Sequence, residues 1–148
     1  MWVYKKNIIK ELNDILNINK NILGFVYVIS NKKTKQRYIG KKILFNNRKT
    51  LIPKKEKEGR KKFKIVTKES DWLSYYGSNK KLKDDILLFG KHNFEREILD
   101  FAKTKKMLTY YEIYYQMKEG VLFYEDVYYN DNIMGKFFKK DWENERNI

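Results

Sequence analysis

The sequence predicts an α+β domain: a small three-stranded antiparallel sheet flanked by helices, with a long basic loop. Three observations lead there. Gly24–Ser30 is a short apolar run in which Phe25, Tyr27 and Ile29 share one face and Val26 and Val28 the other, as a buried strand requires. Two later segments, one reaching about Phe89 and one about Lys118, have capping residues before them and glycines after them, as helices do. Residues 43–70 show no lasting period; they are rich in lysine and hold the only proline, Pro53.

In chain order, Ile8, Ile9, Leu12, Ile15 and Leu16 follow helical spacing and predict a short amphipathic helix or helical turn within an N-terminal extension, 1–23. The strand Gly24–Ser30 is followed by a turn at Asn31-Lys32-Lys33-Thr34 and a second strand, Tyr38–Lys42. If the hairpin loop is the two-residue Lys32-Lys33, Tyr27 and Tyr38 stand directly opposed, on one face, with Cβ atoms roughly 5 Å apart. A slip of one residue would send one of them to the other side. Ser78 or Asn79 caps a helix whose apolar stripe is Leu82, Ile86 and Phe89, and Gly90 ends it. Asn93–Phe101 fits a third strand, and Thr104 caps a second helix stopped by Gly120. Val121–Tyr124 reads as strand or core, and the C-terminal tail, 126–148, alternates aromatic and polar residues without a clear period.

At 148 residues the chain is expected to be one domain with a modest core. There are no cysteines, which excludes a disulfide framework and any thiol or cysteine–zinc site. No stretch approaches the roughly 18 apolar residues of a membrane span, so a cytoplasmic protein, neither exported nor inserted, is expected. The net charge of +14 is concentrated: residues 41–68 hold twelve Lys or Arg against Glu56 and Glu58, a net +10 in 28 residues. Such a block suits counterion release from a phosphate backbone, with Lys41, Arg48, Lys54, Lys55, Lys61, Lys62 and Lys64 as the contacts. The expected loop, 41–70, is long enough to be mobile until DNA orders it. Lysine is a flexible point charge with little grip on base edges, so the block predicts affinity rather than base recognition.

Hydrolysing a phosphodiester needs an attacking water, an acceptor for its proton and positive charge on the phosphate oxygens. Tyr27 is the candidate base, and Lys42, which shares strand parity with Tyr38, is the candidate cation that would favour its phenolate. Glu112 lies mid-helix among aromatics, with Leu108 and Gln116 one turn to either side, and a single hard oxygen ligand of this kind can hold Mg²⁺ or Mn²⁺. His92, the only histidine, sits in a Gly-Lys-His-Asn loop without a partner pattern, and no catalytic role is expected for it.

Phe25-Val26-Tyr27 and Tyr38-Ile39-Gly40 together resemble the paired motifs of the GIY-YIG nucleases, the second in full and the first with Phe25 in place of its glycine, although Gly24 precedes it. The chain is more closely similar to phage-type SegE-like members at 38–42, 59–62, 69–78, 96–99, 108–116 and 129–138. The resemblance implies a GIY-YIG fold and magnesium-dependent, one-metal cleavage of DNA that leaves 5′-phosphate and 3′-hydroxyl ends. It implies Tyr27 as general base or its assistant, Tyr38 at the phosphate, Glu112 on the metal and Asn130 orienting the site. The family also places an arginine four residues before a His or Tyr; here Tyr75 fits the latter, but position 71 is Asp, leaving Lys42, Arg48 and Arg60 as candidate cations. The expected partner is DNA, with no membrane, no small-molecule cofactor, and a monomer or homodimer as the acting species. A phage-encoded enzyme, homing or restriction-like, would act in host cytoplasm. The rival reading is a catalytically silent nucleic-acid-binding module that keeps the fold.

Overall fold

A computed structural model describes residues 1–53, 59, 62–124 and 126–146, the side chain of Arg48 excepted. The main sheet has five strands rather than three, in the order β2-β1-β7-β3-β4. The three anticipated strands are β3 (Gly24–Asn31), β4 (Arg37–Ile43) and β7 (Phe94–Ala102), and they pair antiparallel. The other two come from the N-terminal extension: β1 (Trp2–Tyr4) pairs antiparallel with β2 (Asn7–Ile9) and parallel with β7, and only Leu12–Leu16 is helical, as α1. The β1–β2 turn is made by Lys5 and Lys6 at φ 45° and 69°. Such turns are usually betrayed by Asn-Gly, so two lysines leave no signal to read.

The β3–β4 hairpin is also longer than anticipated. Asn31 Oδ1 accepts from the backbone N–H groups of Lys33 and Thr34, Lys35 takes φ 67°, and the Asn31 N–H donates to the Gln36 carbonyl at 2.8 Å. The loop between Asn31 and Gln36 is therefore 32–35, two residues longer, and the register moves by two: Tyr27 faces Gly40, and Tyr38 faces Ile29. A shift of two preserves side-chain parity, so both tyrosines still share a face.

β3 is buried along almost its whole length because both of its faces are covered. On one face Phe25, Tyr27 and Ile29 pack with Trp2, Trp72 and Leu82. On the other, Val26 and Val28 pack with Ile39 and Leu108. The helices are α2 (Lys80–Phe89), whose N-cap Asn79 accepts from Leu82 N–H at 3.0 Å, and α3 (Lys105–Lys118), whose N-cap Thr104 accepts from Met107 N–H at 3.1 Å.

The stretch anticipated as a basic loop contains a second, two-stranded sheet. β5 (Phe45–Leu51) and β6 (Phe63–Glu69) pair antiparallel from Phe45–Glu69 to Leu51–Phe63. All of β6 is exposed, so neither face of this ribbon needed an apolar period, and none was visible in the sequence. Its root is fixed: Leu44 is fully buried, and the Ser70 N–H and hydroxyl donate to the carbonyls of Leu44 (2.7 Å) and Ile43 (2.6 Å).

Val121 and Leu122 are buried in turns rather than a strand. The chain then runs along the open edge of β4, with Arg37 N–H donating to Val127 C=O at 2.8 Å and Tyr129 N–H to Arg37 C=O at 2.7 Å, so this edge is covered. Short strands β8 (Asn132–Ile133) and β9 (Phe137–Phe138) and helix α4 (Lys139–Arg146) complete the tail.

Candidate active site

Tyr27 reaches the site from the middle of the sheet. It is 1% exposed, and its ring meets Trp2, Tyr38 and Tyr75 at centroid distances of 5.4, 6.3 and 6.1 Å. Its neighbour on β4 has to be glycine: a Cβ on Gly40 would lie 2.6 Å from the Tyr27 hydroxyl oxygen. The last position of the Tyr38-Ile39-Gly40 element is thus the gap through which the phenol crosses the edge strand. Gly40→Ala is expected to cost about 1–3 kcal/mol of stability by overpacking, read by denaturant titration, and to slow any reaction that depends on the phenol.

Tyr38 opens onto a cleft of about 460 Å³ whose walls include Ser78, Glu112, Gln116 and Asn130. Its hydroxyl lies 3.3 Å from Ser78 Oγ. Asn130 is 3% exposed and acts as a one-residue extension of the sheet: its Oδ1 accepts from Ile39 N–H at 3.0 Å and its Nδ2 donates to Ile39 C=O at 2.8 Å. Gln116 Nε2 donates to the same carbonyl at 3.0 Å. The residue between Tyr38 and Gly40 is therefore pinned on both its backbone groups. Asn130→Ala would leave the Ile39 N–H buried without a partner, and a loss of about 1–3 kcal/mol is expected in thermal unfolding.

Glu112 projects from α3 into the cleft wall. Burial raises its carboxyl above the ordinary value, offset in part by Lys41, whose ammonium lies 4.0 Å away and is itself bonded to Thr109 Oγ1 at 2.8 Å. One turn along, Gln116 Oε1 is buried without a hydrogen-bond partner. Among the described residues there is no cluster of three or more His, Cys, Asp or Glu that could enclose a metal. The cleft lining offers the carboxylates of Glu112 and Asp131 and amide oxygen, a hard set that suits magnesium or manganese retaining water ligands.

On the far side of Tyr27, Lys42 lies against the Tyr75 ring, 4.0 Å from its centroid, and 2.6 Å from Asp71 Oδ1. The bond from Lys42 holds the Asp71 carboxyl below the usual range. The expectation that a cation would favour the Tyr27 phenolate is not met. Burial first, then Tyr38, Tyr75 and Glu112, push Tyr27 well above an ordinary tyrosine, and burial raises Tyr38 as well. The charge of Lys42 is spent on Asp71, and Tyr27 is a neutral phenol at neutral pH.

Residues 2–133 match the family model described as "Putative endonuclease segE, GIY-YIG domain". The chain belongs to this SegE GIY-YIG family. No curated protein and no solved structure matches it. The family match covers every strand of the main sheet and both tyrosines, Glu112 and Asn130.

Of the residues singled out in the sequence, Tyr38, Glu112 and Asn130 share the cleft, Tyr27 lies behind Gly40, and Tyr75 and Lys42 flank Tyr27. Lys41 faces α3 rather than the ribbon. Lys62 is exposed beside the ribbon, and Lys64 lies on β6. Lys54, Lys55, Arg60 and Lys61 lie outside the described residues. His92 Nε2 lies 3.2 Å from Asn93 Nδ2. Arg96 was not anticipated. It is 4% exposed, donates to the carbonyls of Leu73 and Tyr75 at 2.9 Å each, and stacks over Tyr76 and Trp2, so it fixes the segment that carries Tyr75. Gln116 had one available signal, its place one turn from Glu112. Ser78 had none beyond its capping position.

Proposed function

We propose that this SegE-family chain is a magnesium-dependent DNA endonuclease that hydrolyses one phosphodiester at a time in the cleft beside Tyr38. The observation that supports this most is the convergence of a half-buried carboxylate, Glu112, with Tyr38 on one open polar cleft, and of the Tyr27 phenol against Gly40 two positions along the same strand as Tyr38. Glu112 would hold the ion, with Gln116 beside it. When bound, magnesium supplies positive charge to the phosphate oxygens.

The chain's own groups do the rest. The Tyr38 hydroxyl donates to a non-bridging phosphate oxygen. The Tyr27 hydroxyl oxygen accepts a hydrogen bond from the attacking water and takes its proton as the new P–O bond forms and the P–O3′ bond breaks; the Tyr27 proton passes to Tyr75 as the Tyr75 hydroxyl releases its own to solvent, and the leaving 3′ oxygen takes a proton from solvent. A neutral phenol suits this concerted exchange. Asn130 and Gln116 keep Ile39, and with it both ends of the Tyr38–Gly40 element, in place.

The silent-module reading has one observation in its favour, the engagement of Lys42 by Asp71 at 2.6 Å. End-labelled duplex incubated with protein and magnesium decides between them. Ligatable products with 5′-phosphate and 3′-hydroxyl ends are expected; intact duplex under conditions where the protein is bound would support the silent module.

DNA affinity is assigned mainly to the basic block. Neutralising Lys54, Lys55, Lys61 and Lys62 together is expected to weaken binding to every duplex about equally. It should also flatten the slope of log affinity against log salt by up to about 3.6, at roughly 0.9 per phosphate contact. A salt titration in calcium, on several unrelated duplexes, measures this.

A further inference from the structure

The β5–β6 ribbon serves no core: all of β6 is exposed, and apart from its root the ribbon forms a sheet of its own. Its register sorts its residues into two faces. Asn46 pairs with Lys68, Arg48 with Val66 and Thr50 with Lys64, and the Ile52 N–H donates to the Lys62 carbonyl one step beyond, so Lys62, Lys64 and Lys68 share a face with Asn46. The opposite face carries Leu51, Phe63 and Ile65, with one cation, Lys49, and one acid, Glu69. Lys62, Lys64 and Lys68 thus stand on one side without an acid, whereas the other side has one lysine and one glutamate; each side has an amide at its root, but Asn47 Oδ1 on the second already accepts from Thr67 Oγ1 at 3.1 Å.

Ordering changes what these lysines can do. On a flexible loop they would add only affinity. On a ladder, residues two apart sit about 6.8 Å from each other, which equals the rise of two roughly 3.4 Å base steps along the helix axis of DNA. Two strands about 4.8 Å apart, with their side chains, make a body of the width that a major groove of about 12 Å admits. Asn46 is exposed, and its amide presents the donor and acceptor that pair with adenine in that groove. It lies six residues from Gly40, at most roughly 20 Å along an extended chain.

From this placement we infer that the ribbon lays its Asn46–Lys62–Lys64–Lys68 face in the major groove of the duplex beside the cleft, with Asn46 reading a base edge and the lysines holding phosphates. The inference rests on DNA being the substrate and adds base recognition to it.

The test is selection of a random duplex library by full-length wild type and by Asn46→Ala, in calcium so that nothing is cut. Wild type is expected to enrich a sequence containing adenine, and Asn46→Ala to lose roughly 5- to 100-fold of that preference while keeping its salt slope. Replacing that adenine with 7-deazaadenine, which lacks the major-groove acceptor, should weaken wild type by a similar factor and leave Asn46→Ala unchanged. Lys64→Gln with Lys68→Gln should weaken all duplexes alike. An unchanged preference in Asn46→Ala, or no preference in wild type, overturns the inference. Selection without cleavage in magnesium would keep the ribbon's role and refute the nuclease, whereas cleavage without selection would do the reverse.

Discussion

Glu112→Ala is expected to take DNA cleavage to background while leaving affinity for DNA, measured in calcium, within about twofold of wild type. The two effects separate because they draw on different parts of the molecule. Glu112 is the carboxylate assigned to the ion, beside a neutral amide, whereas the charge assigned to DNA binding lies mostly in the 41–68 block. Direct calorimetry of magnesium binding to the free protein should show the same loss. The pH dependence has a definite sign. Burial raises the Glu112 pKa above 4.5, so the carboxyl is neutral below that raised value and ionised above it. Magnesium affinity should therefore fall as pH is lowered through a value higher than that of an exposed glutamate. Full cleavage by the alanine variant would move the metal site elsewhere.

Tyr27→Phe is expected to slow cleavage by at least about a hundredfold, the scale of a lost proton acceptor. The substitution keeps the ring packed against Trp2, Tyr38 and Tyr75, so the fold should hold and the loss should appear in the rate rather than in DNA affinity. Because burial and its neighbours push Tyr27 up, ionisation of this residue should leave no inflection in the rate profile near neutral pH. A wild-type rate in the phenylalanine variant would make Tyr27 a core residue whose hydroxyl only satisfies Tyr75.

Much of this site is legible in the sequence because parity and helical spacing survive errors of register. Tyr27 and Tyr38 share a face whether they stand opposite or two residues apart, because a hairpin loop longer by two residues leaves side-chain parity unchanged. Helix caps at Asn79 and Thr104 are local hydrogen bonds, so their signal lies within three residues. What escapes is what depends on unusual turns or distant partners. Lys5 and Lys6 adopt positive φ without the residues that favour it, which hid two strands. The ribbon has both faces in solvent, which erased its period. The Asn130 bonds to Ile39 span 91 positions, and nothing near either residue foretells them. Arg96 looks like a solvated strand residue until Trp2, from a strand the sequence did not reveal, covers it.

The most direct test of the central claim is conversion of supercoiled plasmid by purified wild-type protein with magnesium, with a chelator, and with Glu112→Ala in magnesium. The account predicts nicked or linear plasmid in the first reaction and unchanged supercoiled plasmid in the other two. Equal conversion in all three, or none in the first while the protein demonstrably binds the plasmid, would contradict it.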